Sequence, residues 1–219
     1  MDSGQTLPLL DRLYHQYLED EDSAAFIHGV AARYTTCTLE RLVLHGQRVS
    51  RRAAVLALGY IGQYESNAVL GKALHDSDRG VRILAENGIR ELWARVGTET
   101  QRQQLSIIVR LNASQQYDQA IQRATELIEH FPWFAEAWNQ RAIGYYQQGQ
   151  YERSASDCHQ ALEINPYHFG AAVGMAHCFL ELNDAFAALE SFRRAVKLNP
   201  SMEDVRAQVE YLERQLEGK

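Results

Sequence analysis

The residues that could carry chemistry are scattered along this chain rather than grouped. Cys158 and His159 are adjacent, but consecutive helical residues point about 100° apart, so they do not form a nucleophile–base pair. His45 and the His75-Asp76 dipeptide fall at equivalent turns of two N-terminal segments, and exposed turn residues are the favoured interpretation over a metal site. GxSxG, HExxH, P-loop and GxGxxG motifs do not occur. We therefore predict no catalytic residue, no metal ligand and no cofactor.

Arginines form one basic cluster in the N-terminal half. Its members are Arg48, Arg51, Arg52, Arg79 and Arg82. Such a row of cations could meet an acidic partner or phosphates, or it could pair with aspartates that tether neighbouring helices, which is the favoured interpretation. The net charge is −6, and acidic residues outnumber basic ones 13 to 11 in residues 1–100 and 15 to 11 in the rest. The sequence therefore predicts no nucleic-acid partner.

The spacing of the prolines indicates a sequence repeat in the C-terminal half. Three of the four prolines are 34 residues apart, at Pro132, Pro166 and Pro200. They divide the chain into three blocks, 101–134, 135–168 and 169–202. The middle block carries Trp138, Ala142, Tyr145, Ala161 and Pro166, and in this it resembles a tetratricopeptide repeat. The third block keeps Ala176, Phe179, Ala188, Phe192, Ala195 and Pro200, whereas the first keeps only Tyr117, Ala120 and Pro132.

This residue set suits a helical hairpin that packs on its neighbours. Small side chains let helices approach closely, and large ones fill the gaps beside them. Gly149 and Asn183 stand where the first helix of a pair ends, a place that favours a left-handed residue. Proline follows the second helix because it cannot continue one. A polar helix over 203–217 is expected to cap the stack.

The N-terminal half follows a different pattern. Residues 50–62 and 81–93 align at an offset of 31, and an amphipathic helix followed by Asp76-Ser77-Asp78 lies between them. This arrangement resembles short HEAT repeats of the bilin-lyase-like kind. The aspartates are placed to cap the helix that follows them. Residues 1–35 are interpreted as a degenerate cap of the HEAT-like domain 1–97.

The junction of the halves contains helix-capping residues and no linker. Thr98 with Gln101, or Thr100 with Gln103, offers a capping box for the next helix. We therefore predict an all-α fold, a right-handed α-solenoid in which HEAT-like repeats stack directly on the tetratricopeptide domain 98–219.

The tetratricopeptide resemblance implies a concave groove lined by the first helix of each repeat. Because the core positions are already filled by the repeat's own set, apolar residues on this second stripe have no packing duty within the repeat. The predicted groove residues are Leu105, Val109, Asn112, Asn139, Ile143, Tyr146, Gln147, Val173, His177 and Leu180.

The same resemblance argues against one kind of ligand. Chaperone-binding members hold a C-terminal carboxylate with cationic and amide side chains at set positions. The matching positions here hold Leu105, Val109, Gln140, Gly170 and Gly174. A carboxylate buried there would have no charged partner, so we expect no carboxylate clamp. A neutral, partly apolar groove suits an extended peptide or a helix.

Aromatic residues in the turns between repeats form a second candidate surface. They are Trp133, Phe134, Tyr167 and Phe169, and they either anchor a partner or fill gaps between repeats.

The resulting functional prediction is a non-enzymatic protein-interaction module, an adaptor, scaffold or assembly factor that binds a peptide or helix of another protein. Two alternatives stay open: a HEAT-type lyase-like enzyme subunit acting on a protein or a tetrapyrrole, and a nucleic-acid-binding solenoid that uses the arginine cluster. No run approaches the roughly 18 apolar residues of a membrane helix, so no membrane partner is expected. The odd cysteines and the absence of a signal-like N-terminus predict a cytoplasmic location.

Overall fold

The computed structural model describes residues 7–217, and every regular element in that range is helical. These residues form two compact units that divide between Leu92 and Trp93, close to the predicted domain boundary at 97. Residues 1–6 of the predicted N-terminal cap, and the last two residues of the predicted tetratricopeptide domain, lie outside the described range. The predicted all-α class is confirmed. The handedness of the solenoid stays a prediction.

Within residues 7–94 the structure has six helices, among them the segments predicted at 50–62 and 81–93, and the sixth helix continues two residues past the boundary of the N-terminal unit. They are α1 (Leu9–Asp20), α2 (Ser23–Ala31), α3 (Thr36–His45), α4 (Arg48–Ile61), α5 (Asn67–Ala73) and α6 (Arg79–Ala94), with a 3-10 turn at Tyr64–Ser66 before α5. Side chains at the starts of several helices accept backbone N–H bonds, as helix caps do. Asp22 caps α2, Thr35 caps α3, and Asp78 accepts from the Val81 N–H at the start of α6. The resemblance to HEAT repeats stays a prediction.

Two glycines bring α4 and α6 into close contact. A Cβ atom built on Gly59 would lie 3.0 Å from the Cα atom of Gly88, and the reverse is equally true. A side chain larger than hydrogen at either position would therefore push the two helices apart.

In the C-terminal unit, three helical hairpins and a last helix follow the predicted blocks. The helices are α7 (Glu99–Ala113), α8 (Tyr117–His130), α9 (Ala135–Gln147), α10 (Tyr151–Ile164), α11 (Phe169–Glu181), α12 (Ala185–Leu198) and α13 (Glu203–Glu217). Each helix packs on the next one along the chain, and the first helix α9 also contacts the first helices α7 and α11. The predicted capping helix is confirmed. Its outer face keeps several exposed acidic residues, including Glu203 and Glu210.

The hairpin turns are set by left-handed residues at the same place in each block. Gly149 and Asn183 have φ angles of +72° and +59°, as predicted, and Gln115 of the first block has +60°. Before α7, the Thr98 hydroxyl accepts the Gln101 N–H while the Gln101 side chain accepts the Thr98 N–H. The structure therefore selects the first of the two capping boxes that the sequence allowed.

The core of this unit uses the small and large residues expected from the repeat. One cluster surrounds Phe192 and contains a series of alanines, and another surrounds Ile108 and Phe134. Two of the four turn aromatics, Phe134 and Phe169, are fully buried and fill gaps between helices. Trp133 remains 48% exposed.

Candidate functional site

The predicted groove residues lie on three adjacent helices, α7, α9 and α11. We call the surface formed by these residues the first-helix face. Their positions recur every 34 residues, so Val109, Ile143 and His177 occupy equivalent places on the three helices. Val109 is 42% exposed and Ile143 is 39% exposed, and they lie on adjacent helices. These two side chains give the face an apolar centre.

Leu105 departs from the predicted stripe. It is only 3% exposed and belongs to the core cluster that contains Ile108, Leu127 and Phe134. The first block has Gln104 where the second block has Trp138, and a polar residue cannot fill that core position. Leu105 therefore packs inward, and the expectation that it is free to bind a ligand is wrong.

Val173 and Leu180 are intermediate cases on α11. Both are partly buried and pack against the core cluster around Phe192. Only a part of each side chain is available to a ligand, so α11 offers less apolar surface than its sequence suggests.

The amide side chains of the face are already hydrogen-bonded. Asn112 donates through Nδ2 to the Gln140 carbonyl and side-chain oxygens, at 2.9 and 3.0 Å. Asn139 and Gln140 both donate to Oε1 of Glu136. Of the predicted amides, Gln147 is exposed. The face is therefore pre-ordered by a polar network that includes Asn112 and Asn139, which the sequence assigned to ligand binding.

Glu136 anchors that network through a buried histidine. His168 is 2% exposed, and its Nε2 lies 2.9 Å from Oε2 of Glu136 while its Nδ1 accepts the Ala171 N–H. The neutral tautomer with hydrogen on Nε2 satisfies both contacts. Burial, the largest single influence, acts to raise the pKa of Glu136, but the interactions with His168 and the hydrogen bonds from Gln140 and Asn139 together outweigh it, and the pKa is lowered.

Trp93 covers this histidine from one side. Its ring stacks on the His168 ring with centroids 4.4 Å apart, and it also contacts the Phe169 ring. The beginning of α11 is therefore occupied by a residue of this chain. Sequence reasoning missed Trp93, His168 and Glu136 as a group because they are separated by at least 32 residues and match no motif.

At the other end of the face, Tyr146 and Glu181 meet across α9 and α11. The Tyr146 hydroxyl donates to Glu181 over 3.4 Å, and the Tyr146 ring lies edge-on to Tyr151 at 5.4 Å. Burial and the nearby Glu181 carboxylate raise the pKa of Tyr146. His177, one turn before Glu181, has a pKa lowered by burial, an effect that Glu181 partly opposes, so its ring is neutral at pH 7.

Arg141 of α9 points away from this face and is held by Asp157 of α10. The two form paired hydrogen bonds of 2.7 and 2.9 Å, and Arg141 also donates to the Thr125 hydroxyl. Its guanidinium lies 4.9 Å from the Trp138 ring centroid. Both partners also line a cavity of about 660 Å³ between α8 and α10.

Most of the arginine cluster is bound to aspartate side chains or to backbone carbonyls. Arg51 pairs with Asp76, with its closest contact at 2.7 Å, and Arg52 pairs with Asp78, closest at 2.6 Å. Arg82 donates to the backbone carbonyls of Asp76 and Ser77. The favoured interpretation, a ladder that ties α4 to the start of α6, is confirmed.

Two members of the cluster, Arg48 and Arg79, remain exposed. Cys158 and Cys178 are buried, as expected for packing thiols. Within residues 7–217, no three potential ligands come together as a metal site, and no helix is long and apolar enough to cross a membrane.

Family models for tetratricopeptide repeats match residues 135–168 and 170–202. A TPR repeat-containing protein of Rhizobium etli is 34% identical over 93 residues, which is 42% of this chain and 46% of that protein. WD and tetratricopeptide repeats protein 1 of Homo sapiens is 33% identical over 81 residues, 36% of this chain and 12% of that protein. The chain thus spans less than half the length of these curated relatives. Residues 135–202 are tetratricopeptide repeats.

Solved structures share the fold of slightly more than half of this chain. The first TPR of Spaghetti (RPAP3), bound to an HSP90 peptide, superposes with a TM-score of 0.52 at 18% identity, covering 55% of this chain and 96% of that one. The Sgt2 TPR domain of Aspergillus fumigatus gives 0.51 at 20% identity, covering 55% and 81%. The translocator chaperone SycD of Yersinia enterocolitica gives 0.52 at 15% identity, covering 56% and 98%. At these identities the likeness concerns the fold.

Proposed function

We propose that this chain is a non-enzymatic protein-interaction module that binds a peptide or helix of another protein on its first-helix face. The observation that carries the proposal is the pair of exposed aliphatic side chains, Val109 and Ile143, at equivalent positions of adjacent helices. An apolar centre with a polar surround is the usual composition of a peptide-binding surface. The solved TPR of Spaghetti bound to an HSP90 peptide supports this use of the fold.

The ligand of this face is not held by a carboxylate clamp. Gln140, at one of the clamp positions, is engaged with Asn112 and Glu136, and Gly170 and Gly174 present no side chain. Leu105, at another clamp position, is buried in the core. A terminal carboxylate placed here would lack a cationic partner and would meet the carboxylate of Glu136. An adaptor, scaffold or assembly role is the corresponding proposal, and the cytoplasmic location proposed for it rests on the free cysteines. The lyase-like enzyme role stays a prediction.

The proposal is tested with peptides selected on the whole protein. Binders are taken from a phage-displayed random peptide library against the full chain, and their affinities are measured by fluorescence anisotropy. The double variant Val109→Asp, Ile143→Asp should weaken binding by about tenfold or more, because it places two charges in the apolar centre. Both positions are exposed, so the fold should persist, and far-UV circular dichroism checks this.

Phe186 provides the matched control. It is 70% exposed at the start of α12, a second helix, so Phe186→Asp makes the same chemical change away from the first-helix face. This variant should bind the selected peptides like the unmodified chain. If binding survives in the double variant and is lost in Phe186→Asp, the first-helix face is not the binding surface.

A further inference from the structure

One charged group beside the first-helix face, next to the groove residue Leu180, has no ionic partner among the described residues. Glu136, Arg141 and Glu181 are the charged residues of α9 and α11. Glu136 is tied to His168, and Arg141 is tied to Asp157 on the opposite side of its helix. Glu181 is exposed, and within residues 7–217 its contact is the long hydrogen bond from the Tyr146 hydroxyl. Neutral His177 does not offset its charge.

Aromatic and aliphatic residues lie near Glu181 on the same two helices. The Tyr146 hydroxyl donates to Glu181, and the ring of Tyr146 packs edge-on against Tyr151. Ile143 lies one turn before Tyr146 on α9, and Leu180 adjoins Glu181 on α11. An exposed carboxylate attracts ammonium and guanidinium groups through charge-assisted hydrogen bonds, and the neighbouring aliphatic side chains can contact the methylene groups of a lysine or arginine.

Positive charge on the first-helix face is confined to its first repeat. Arg102 and Arg110 lie on α7, and Arg102 pairs with Glu99. The end of the face formed by α9 and α11 presents only negative charge. An acidic segment would therefore be repelled there, whereas a basic segment would find a complementary site.

We propose that Glu181, with Tyr146 beside it, binds a lysine or arginine side chain of the partner, next to an aliphatic residue that contacts Ile143 and Leu180. The partner is thus a basic, partly aliphatic peptide segment. This inference rests on the proposed function, since it names the ligand class of the same face. Glu181 is a binding residue for the cation, and Tyr146 holds its carboxylate in place.

The test uses three fluorescein-labelled peptides of twelve residues with leucine at every third position. They differ only in the charged positions, which are lysine, glutamate or the neutral glutamine. With the full chain, anisotropy should show the lysine peptide binding most tightly. Glu181→Gln should weaken the lysine peptide by about fivefold and leave the glutamine peptide unchanged, and raised salt should reduce the difference. Glu152→Gln, an exposed carboxylate on α10, is the matched control and should change nothing.

The outcomes separate the two proposals. If Glu181→Gln has no effect on the lysine peptide, or if the glutamate peptide binds as tightly, the cation site is refuted. In that case weaker binding of the neutral glutamine peptide by Val109→Asp, Ile143→Asp still supports the proposed function. If none of the three peptides binds the unmodified chain, the cation site is refuted, and the peptides selected from the library decide the proposed function.

Discussion

At the residue scale, Arg141 and Asp157 form a largely buried ion pair in the C-terminal unit. The side chains are 14% and 7% exposed, and their paired hydrogen bonds satisfy two guanidinium nitrogens. Removing one member of such a pair leaves a charge without compensation in a poorly solvated place, which costs more than the pair itself contributes.

Asp157→Ala should therefore lower the free energy of unfolding by about 3 kcal/mol, measured by urea denaturation. Glu152→Ala removes an exposed carboxylate from the same helix and should change stability by less than about 0.5 kcal/mol. The double variant Arg141→Met, Asp157→Leu should recover part of the loss. Equal stability of the two single variants would show that the ion pair is not important to the fold.

Sequence reasoning at this scale succeeded where a contact follows from local position and failed where it spans repeats. Left-handed Gly149 and Asn183 could be predicted because the end of a helix constrains the backbone directly. The hydrogen bond between Glu136 and His168 joins residues 32 positions apart, and neither residue type predicts the other as its partner. Leu105 was assigned to the groove from its repeat position. It packs into the core because the polar Gln104 cannot fill the neighbouring core position.

At the element scale, α4 and α6 are joined at their N-terminal ends by the arginine–aspartate ladder. Asp78 has two roles there, since it caps α6 through the Val81 N–H and pairs with Arg52. The hydrogen bonds from Arg52 and then from Val81 hold the pKa of Asp78 at about 2, below its usual 3.8. A carboxyl whose pKa is lower in the folded state adds stability above its unfolded pKa and loses that contribution as pH falls through the folded value.

The stability of the chain should consequently fall between pH 5 and pH 3, and part of that fall should belong to Asp78. In Asp78→Asn, which cannot ionise at this position, the fall should be smaller although the stability at pH 5 is lower. Urea unfolding followed by far-UV circular dichroism at the two pH values gives the comparison, and titration of other carboxyls is common to both proteins. Parallel pH dependences would contradict the assignment.

Helix boundaries were the most predictable part of the structure. Each tetratricopeptide block begins and ends its helices within a few residues of the places that its prolines and glycine indicated. The reason is that hairpin repeats depend on contacts between sequence neighbours, which a periodic pattern records directly. The exposure of Val109 and Ile143 could also be predicted from spacing. The hydrogen bond between Asn112 and Gln140 could not, because it joins two different helices.

At the scale of the whole molecule, the C-terminal unit contains its own hydrophobic core. The two clusters that surround Ile108 and Phe192 draw all their residues from positions 96–216. Stacked repeats derive their stability from their own packing and from nearest neighbours. A fragment of residues 93–219 should therefore fold alone, with a helical circular dichroism spectrum and a cooperative urea transition. A fragment with a broad, non-cooperative transition would show that this core is insufficient without the N-terminal unit.

The distribution of indole rings gives the molecule an internal optical reporter. All three tryptophans, at 93, 133 and 138, belong to the C-terminal unit, and two of them sit beside polar groups that quench or shift emission: Trp93 stacks on an imidazole and Trp138 lies under a guanidinium. Intrinsic tryptophan fluorescence excited at 295 nm will thus report on that unit alone. A ligand that disturbs the start of α11 should change the fluorescence of Trp93, so no added label is needed.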